Sequence, residues 1–313
     1  MTRKLFTNAA IYTPADSGHP LSGGDQGRLQ QFAPGALLVD DGRLLAVGEE
    51  AVVSKDPRAQ EAEKVVNCQG ACLVPGLVDP HTHMCFTDLR EQEFALRQAG
   101  TPYLEILKQG GGILSSVKAV REAEPEQLIE TTRRHVLTAL ALGTTTLEIK
   151  SGYGLDTPSE LKMLAAIDAV AKQTPLDVVA TFLGAHAIPA EYRRDPDGFV
   201  TLVVDEMLPA VVEQGLARFC DVFCEEGVFS PDQSRRILMA AKQLGLGLKI
   251  HADEVHDLGG GGLAADLRAV SADHLLAVSD ANVERLARSG TVAVLLPATA
   301  YSLRKPYARA RHL

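Results

Sequence analysis

Residues 144–184 read TTTLEIKSGYGLDTPSELKMLAAIDAVAKQTPLDVVATFLG, and this stretch decides the fold. It begins and ends with short apolar runs, 144–150 and 177–184, that are typical of buried strands. Between them, residues 158–173 repeat apolar side chains at helical spacing after a Pro-Ser start, which is typical of the first turn of a helix. A strand, a helix and a second strand in this order predict two parallel strands joined by a crossover.

The same alternation continues on both sides of this stretch. Helical patterns also cover 231–245 and 279–290. Seven apolar runs are predicted to be strands: 72–79, 144–150, 177–184, 218–225, 246–251, 270–274 and 291–296. Because no dinucleotide-binding fingerprint follows a strand, the pattern favours an α/β fold of the (β/α)8-type TIM barrel, with only seven barrel strands present, over a doubly wound sheet.

The first 70 residues have a different pattern. Short strand-like runs flank a DDG turn at 40–42, which predicts a β-hairpin because these residues tolerate positive φ. Residues 14–34 are rich in glycine, proline and polar side chains, which predicts a loop. We therefore expect two domains, residues 1–70 forming part of a small β-sandwich and residues 71–313 forming the barrel.

Composition limits the classes of function. The chain has 313 residues, a formal net charge of −9 and a sequence pI near 5.5. An acidic balance argues against a nucleic-acid partner, because phosphate backbones bind basic faces. No uncharged apolar stretch approaches the ~18 residues of a membrane span, and the first residues lack a signal-peptide pattern. The five cysteines show no paired spacing. We therefore expect a cytoplasmic enzyme that binds neither nucleic acid nor a membrane.

Polar side chains gather at the predicted carboxyl ends of six successive strands, where barrel enzymes place their active sites. His81 and His83 stand two residues apart after the first strand, so both imidazoles project to one side of an extended segment. Two neutral imidazoles on one face suit a divalent metal such as zinc or iron. A lone histidine such as His251 is more often a core residue, but its place at another strand end makes it a candidate third ligand.

The phrase PGLVDPHTH (75–83) resembles the metal-binding signature of the amidohydrolase superfamily, whose members join a small β-sandwich to a metal-dependent barrel. Further phrases are similar to those of the imidazolonepropionase family: REQEFALR (90–97), TLEIKSGYGL (146–155), TFLGAHAIP (181–189), KIHADE (249–254) and SADHL (271–275). This resemblance implies hydrolysis of the cyclic amide C–N bond of 4-imidazolone-5-propanoate to N-formimino-L-glutamate, a step of histidine degradation. We expect a homodimer that acts on this small anionic substrate.

The resemblance also implies how the site works. It places one divalent metal ion, zinc or iron, on His81, His83 and His251. The fourth predicted strand supplies no lysine that could be carboxylated to bridge a second metal, so a single ion is expected. Glu254 resembles the family's acid–base group on the substrate side, and His274 lies near the attacked carbonyl and polarises it.

The substrate side chain carries a carboxylate that needs a cationic partner. Arg90 is the candidate clamp, because a guanidinium binds a carboxylate through two parallel hydrogen bonds. By resemblance, Tyr153 and His186 also contact the substrate, together with Glu254.

The sequence leaves the roles of two further polar residues open. Asp273 either orients His274 or caps the end of its strand. Lys150 pairs with a carboxylate, for which Glu148 is the nearest candidate in the sequence.

The chain departs from the family pattern at two places. Residues 86–90 read FTDLR where the family usually has FGGNR. The aspartate that ends strand eight in the family, and the C-terminal return of the sandwich, are absent, so we expect a truncated member with poor turnover. Two alternatives stay open: another amidohydrolase, such as a deaminase or a dihydroorotase-type enzyme, or an inactive member that keeps the three histidines as a binding scaffold.

Overall fold

The computed structural model describes residues 3–15, 17–18, 21–101 and 112–313. The chain forms two compact units, Met1–Gly76 and Leu77–Leu313. Each unit has its own sheet and its own buried apolar cluster.

A five-stranded sheet forms the N-terminal unit. Its strands are β1 (Lys4–Pro14), β2 (Leu29–Asp40), β3 (Arg43–Glu49), β4 (Lys64–Asn67) and β5 (Cys72–Leu73). The predicted hairpin joins β2 to β3 at Asp41 and Gly42, whose φ angles of 47° and 74° let the chain reverse. Two short helices follow, Glu50–Val53 and Pro57–Gln60.

The loop predicted over residues 14–34 is wrong in its second half. β2 already begins at Leu29, which pairs with Pro14 of β1. Residues 29–31 are exposed, so backbone hydrogen bonds rather than apolar burial hold this part of the strand. A strand without a buried face has no alternating apolar pattern, and the sequence therefore does not reveal it.

Seven parallel strands form a nearly closed barrel in the C-terminal unit. They are β6 (Leu77–Thr82), β7 (Thr144–Lys150), β8 (Asp177–Ala185), β9 (Phe219–Cys224), β10 (Gly247–Ala252), β11 (Ser271–His274) and β12 (Val292–Val294). Each strand pairs in parallel with the next one along the chain. The predicted α/β fold, a (β/α)8-type TIM barrel with seven strands and a separate N-terminal sheet, is confirmed.

Helices alternate with the strands, as the sequence pattern predicts. The described α-helices of this unit are Glu91–Gln98, Ile113–Glu122, Pro125–Ala141, Thr157–Gln173, Pro196–Leu202, Leu208–Gln214, Pro231–Gln243, Gly260–Leu267, Asp280–Ser289 and Pro297–Ser302. Ser230 and Gln233 form a reciprocal capping box at the start of one of them. Among these described helices, none has the length and hydropathy that crossing a membrane requires.

The first barrel strand differs from its predicted bounds of 72–79. Pro75 and Gly76 interrupt the apolar run, and Cys72–Leu73 pairs with β1 instead. The barrel strand runs from Leu77 to Thr82. His81 therefore lies inside a paired strand rather than after it.

The barrel strands carry apolar residues on one face and charged residues on the other. Leu147 and Ile149 of β7 share one buried cluster with Leu164 of the following helix. Because side chains alternate along a strand, Glu148 and Lys150 point to the opposite face, into the barrel. The barrel interior is therefore charged close to the carboxyl ends of its strands.

Candidate active site

Five imidazoles gather at the carboxyl end of the barrel. They are His81 near the end of β6, His83 just after it, His186 just after β8, His251 in β10 and His274 at the end of β11. Ring centres are 4.5 Å apart for His81 and His251, and 4.8 Å apart for His83 and His186. The carboxyl ends of parallel barrel strands meet on one rim, which explains the grouping.

Three ring nitrogens converge within this cluster. The Nε2 atom of His83 lies 3.2 Å from Nε2 of His81 and 3.2 Å from Nε2 of His251. The Nδ1 atom of His81 lies 2.5 Å from Oδ2 of Asp273, and Nδ1 of His251 lies 3.1 Å from Oδ1 of Asp221. Each carboxylate accepts the ring proton at Nδ1, so the Nε2 atoms of His81 and His251 carry lone pairs.

This arrangement fits a metal ion. Without a cation, His83 could donate a proton to one of the two facing lone pairs, and its other contact would be repulsive. Tetrahedral zinc bonds of about 2.0–2.1 Å place ligand nitrogens about 3.3 Å apart, close to the observed separations. Ring nitrogens also lie within 4.8 Å of one another in two triplets that share His251: His81, His251 and His274, and His83, His186 and His251. Neither triplet contains His81, His83 and His251 together, and the contact between His81 and His83 links the two.

Burial keeps the imidazoles of four of these residues, His81, His83, His186 and His274, in the neutral form that binds a metal. Desolvation, with the other imidazoles acting in the same direction, lowers the pKa of His81 and His83 far below the usual range. Burial likewise lowers the pKa of His186 and of His274 to about 3. At neutral pH no proton competes with a metal at these rings.

Glu254 faces the cluster from the loop after β10. Its Oε1 atom lies 3.6 Å from Nδ1 of His274, and both side chains are largely buried. Burial raises the pKa of Glu254, which makes it a stronger base than an exposed glutamate. A basic carboxylate beside a neutral imidazole is suited to accepting and returning a proton at this rim.

The backbone that carries these two groups is strained and tied down. Asp253, His274 and Leu275 have φ angles of 51°, 78° and 55°, a region that costs a non-glycine residue about 1 kcal/mol or more. The Leu275 N–H donates to the carbonyl of Ala252 at 3.1 Å, and the Ala277 N–H donates to the carbonyl of Asp253 at 2.8 Å. These bonds tie the ends of β10 and β11 together and fix the side chains that follow them.

The loop of residues 151–155, which carries Tyr153, is shaped by a buried carboxylate. Glu160 accepts three backbone N–H groups at 2.8 to 3.0 Å, those of Gly152, Gly154 and Leu155. The carbonyl of Gly152 in turn accepts the Nδ1 proton of His186 at 2.9 Å. The Tyr153 and His186 rings lie 5.4 Å apart. One glutamate therefore sets the positions of two predicted substrate contacts.

We expect Glu160→Gln to lower the free energy of unfolding by ~1–3 kcal/mol, because a side-chain amide offers one acceptor oxygen and leaves a buried N–H without a partner. Urea unfolding followed by circular dichroism measures the loss. Glu284→Gln is the control, since this side chain is 74% exposed and should change stability by less than ~0.5 kcal/mol. Equal stability of the two variants would show that the loop does not depend on Glu160.

Arg90 lies just before the helix Glu91–Gln98 and pairs with a glutamate of that helix. Its Nη2 atom is 2.6 Å from Oε2 of Glu93, and Glu93 also accepts the N–H of Gly112. Burial raises the pKa of Tyr153, and the charge of Arg90 acts in the opposite direction. The guanidinium is therefore close enough for its charge to act on the tyrosine hydroxyl.

Asp273 has neither of the roles that the sequence suggested. Its carboxylate accepts the Nδ1 proton of His81 rather than orienting His274 or capping the strand. Among the described residues neither ring nitrogen of His274 has a hydrogen-bond partner, so Asp273 does not hold this ring through a hydrogen bond.

Asp221, like Glu160, is a residue of this site that the sequence reasoning missed. It is fully buried in β9, and its Oδ2 atom lies 2.8 Å from Nζ of Lys150. Lys150 also has the expected partner, since its Nζ lies 2.7 Å from Oε1 of Glu148. Burial opposes the charge on Asp221, but His251 and Lys150 hold the pKa of its carboxyl well below the usual range. An aspartate inside the apolar run RFCDVFCE was the available signal, because a buried carboxylate needs a partner.

Sequence comparison identifies the relatives of this chain. The amidohydrolase family profile matches residues 72–265. An imidazolonepropionase of Desulfotalea psychrophila is 62% identical over 312 residues, which are 99% of this chain and 75% of that protein. An imidazolonepropionase of Bacillus velezensis is 47% identical over 310 residues, covering 99% of this chain and 72% of that protein.

Solved structures share the fold at low sequence identity. A metal-dependent hydrolase from Pyrococcus furiosus is 14% identical with a TM-score of 0.63, covering 96% of this chain and 78% of that one. An ochratoxinase from A. niger is 15% identical with a TM-score of 0.63, covering 100% of this chain and 70% of that one. Both therefore support the barrel architecture.

Proposed function

Since this chain belongs to the imidazolonepropionase family of amidohydrolases, we propose that it hydrolyses the cyclic amide C–N bond of 4-imidazolone-5-propanoate to give N-formimino-L-glutamate in histidine degradation. Three imidazole nitrogens that converge beside the pair formed by Glu254 and His274 support this reaction most directly.

The family depends on a metal, and the described residues fit one. His81, His83 and His251 would hold a single divalent ion, zinc or iron, through their Nε2 atoms. Such an ion supplies Lewis-acid chemistry and lowers the pKa of water towards ~7. Asp273 and Asp221 hold the ring protons at Nδ1, so two of the ligands cannot turn away.

Hydrolysis adds water to the ring carbonyl carbon and breaks its bond to nitrogen. The water oxygen stays on that carbon as part of a new carboxylate, and the nitrogen leaves with a proton. Glu254 accepts the proton that water gives up and returns it to the nitrogen. His274, which burial keeps neutral, donates a hydrogen bond to the carbonyl oxygen.

Substrate binding is assigned to the other side of the cluster. Arg90 pairs with the propanoate carboxylate of the substrate. Tyr153 and His186 lie beside the proposed metal ligands, with the Tyr153 ring centre 6.0 Å from that of His83 and 5.4 Å from that of His186. The carboxylate would thus be held away from the reacting amide.

Arg90→Lys should raise KM about tenfold and change kcat by less than about threefold. Lysine keeps the charge but loses the planar fork, and a clamp on the unreactive end of the substrate acts equally in the ground state and the transition state. Steady-state kinetics measure both constants, with Arg288→Lys as the control because its side chain is 74% exposed. A large fall in kcat at constant KM would assign Arg90 to the chemical step.

The activity is tested by following the loss of freshly prepared 4-imidazolone-5-propanoate in the ultraviolet and the appearance of N-formimino-L-glutamate by mass spectrometry. Dihydroorotate and a panel of nucleobases serve as competing substrates, since deaminases and dihydroorotases share the barrel architecture. Turnover of a nucleobase or of dihydroorotate, without turnover of the imidazolone, would overturn the proposal.

We also propose a cytoplasmic homodimer with no nucleic-acid partner, and two domains whose boundary follows strand β5 (Cys72–Leu73), which pairs with β1, rather than residue 70. The net charge of −9 supports the lack of a nucleic-acid partner.

A further inference from the structure

Lys150 occupies the centre of a buried charge network beneath the histidines. Its side chain is fully buried, and its Nζ atom lies 2.7 Å from Oε1 of Glu148. The same atom lies 2.8 Å from Oδ2 of Asp221 and 3.9 Å from Oδ2 of Asp273. These two aspartates are the ones that accept the Nδ1 protons of the proposed metal ligands.

Barrel geometry explains why one ammonium reaches both aspartates. Lys150, Asp221 and Asp273 come from β7, β9 and β11, the second, fourth and sixth barrel strands. His81 and His251 come from β6 and β10, the first and the fifth. Side chains inside such barrels stack in layers that alternate strands contribute. The lysine and the two aspartates therefore share one layer, in contact with the layer of the ligands.

The two aspartates differ in how much they depend on Lys150. Asp273 has a second ammonium nearby, since Nζ of Lys249 lies 3.5 Å from its Oδ2 atom. Among the described residues, the ion pairs of Asp221 are those with Lys150 and with His251. Removing Lys150 would therefore release Asp221 more than Asp273.

We propose that Lys150 is a positioning residue for the metal: it fixes Asp221, and through it the His251 ring, so that Nε2 of His251 stays aimed at the ion. This rests on the proposed metal site at His81, His83 and His251. Without the ammonium, Oδ2 of the buried Asp221 carboxylate loses the partner that fixes it, and the hydrogen bond that orients His251 is weakened.

The test measures metal affinity rather than turnover. Zn²⁺ alone is titrated into the full chain against a chelating dye, for the parent protein, Lys150→Met and Lys162→Met. We expect Lys150→Met to raise the dissociation constant about 10- to 100-fold, the usual effect of losing an outer-shell partner. Lys162 is the matched control, because this half-buried lysine donates to three backbone carbonyls away from the cluster. Its replacement should change the affinity less than about threefold.

A double variant separates positioning from folding. Glu148→Gln combined with Lys150→Met removes one negative and one positive charge, so the net charge of the buried network stays the same. Asp221 still loses the ammonium of Lys150. We expect this variant to fold, to bind Zn²⁺ as weakly as the single variant, and to show shifted visible absorption bands when loaded with Co²⁺, since these bands report ligand geometry.

The outcomes are distinct. Parental Zn²⁺ affinity and parental Co²⁺ bands in Lys150→Met, or in the double variant, would overturn the positioning role. Failure of both to fold, judged by circular dichroism, would also overturn it, because Lys150 would then serve stability alone. A parent protein that binds no Zn²⁺ would instead refute the metal site proposed at the three histidines.

Discussion

Replacing His83 with alanine should lower tightly bound divalent metal from about one ion per chain to near zero, and kcat/KM by at least ~10³-fold. Nε2 of His83 lies 3.2 Å from Nε2 of each of the other two proposed ligands, so the substitution removes the donor that contacts both of them. Losing several kcal/mol of Lewis-acid stabilisation corresponds to a rate effect of this size. Elemental analysis after dialysis against a chelator measures the metal, and the imidazolone assay measures the rate.

This variant should keep its fold. Among the described residues, Nδ1 of His83 has no hydrogen-bond partner, so the substitution leaves no carboxylate uncompensated. His312→Ala is the control, because this histidine is half exposed and pairs with Asp280 on the surface. An alanine variant that retains one ion per chain would rule out His83 as a ligand.

The second large effect is expected for Glu254→Gln, which should reduce kcat ~10²- to 10⁴-fold while the metal content stays at the parental level. Glutamine has the same shape but cannot accept the proton of water. An ordinary glutamate has a pKa of about 4.3. Burial raises the pKa of Glu254, so kcat/KM of the parent enzyme should begin to fall at a higher pH than an ordinary glutamate would cause. Below that pH the carboxyl is protonated and the parent enzyme loses activity, and this fall should disappear in the variant.

Glu226→Gln provides the comparison for this experiment. Glu226 lies at the same end of the barrel, but its side chain is 66% exposed and contacts His256 rather than the cluster. Its replacement should leave kcat within about twofold. If both glutamine variants turned over at the parental rate, another group would have to be the base.

The sequence predicts the barrel because local patterns repeat. In residues 144–184 the apolar runs and the helical period are both complete, and the structure has β7, a helix and β8 there. The run at 72–79 misleads because its apolar character continues across Pro75 and Gly76, although the chain there passes from one sheet to another. Where the chain leaves one sheet and enters another, apolarity alone does not locate a strand.

The sequence predicts the residues of the candidate site that lie at strand ends, because these ends meet on one rim of the barrel. The eight residues nominated from the sequence lie at the carboxyl ends of the strands or in the loops that follow. Asp221 was not predicted, because the partners of a charged residue inside a barrel depend on which strands face each other. Local sequence patterns do not encode that arrangement. Lys150 was recognised as half of an ion pair, but its second partner lies on a strand two places further round the barrel.

The contact between His81 and Asp273 spans 192 residues of sequence, and this separation orders events during synthesis of the chain. When His81 and His83 leave the ribosome, neither the carboxylate that holds His81 nor the third imidazole has been made. Contacts that close such long loops form late, because the entropy of closing them opposes their formation until the intervening strands have paired. At the proposed metal site, we therefore expect metal binding in the last stage of maturation, after the barrel strands have paired.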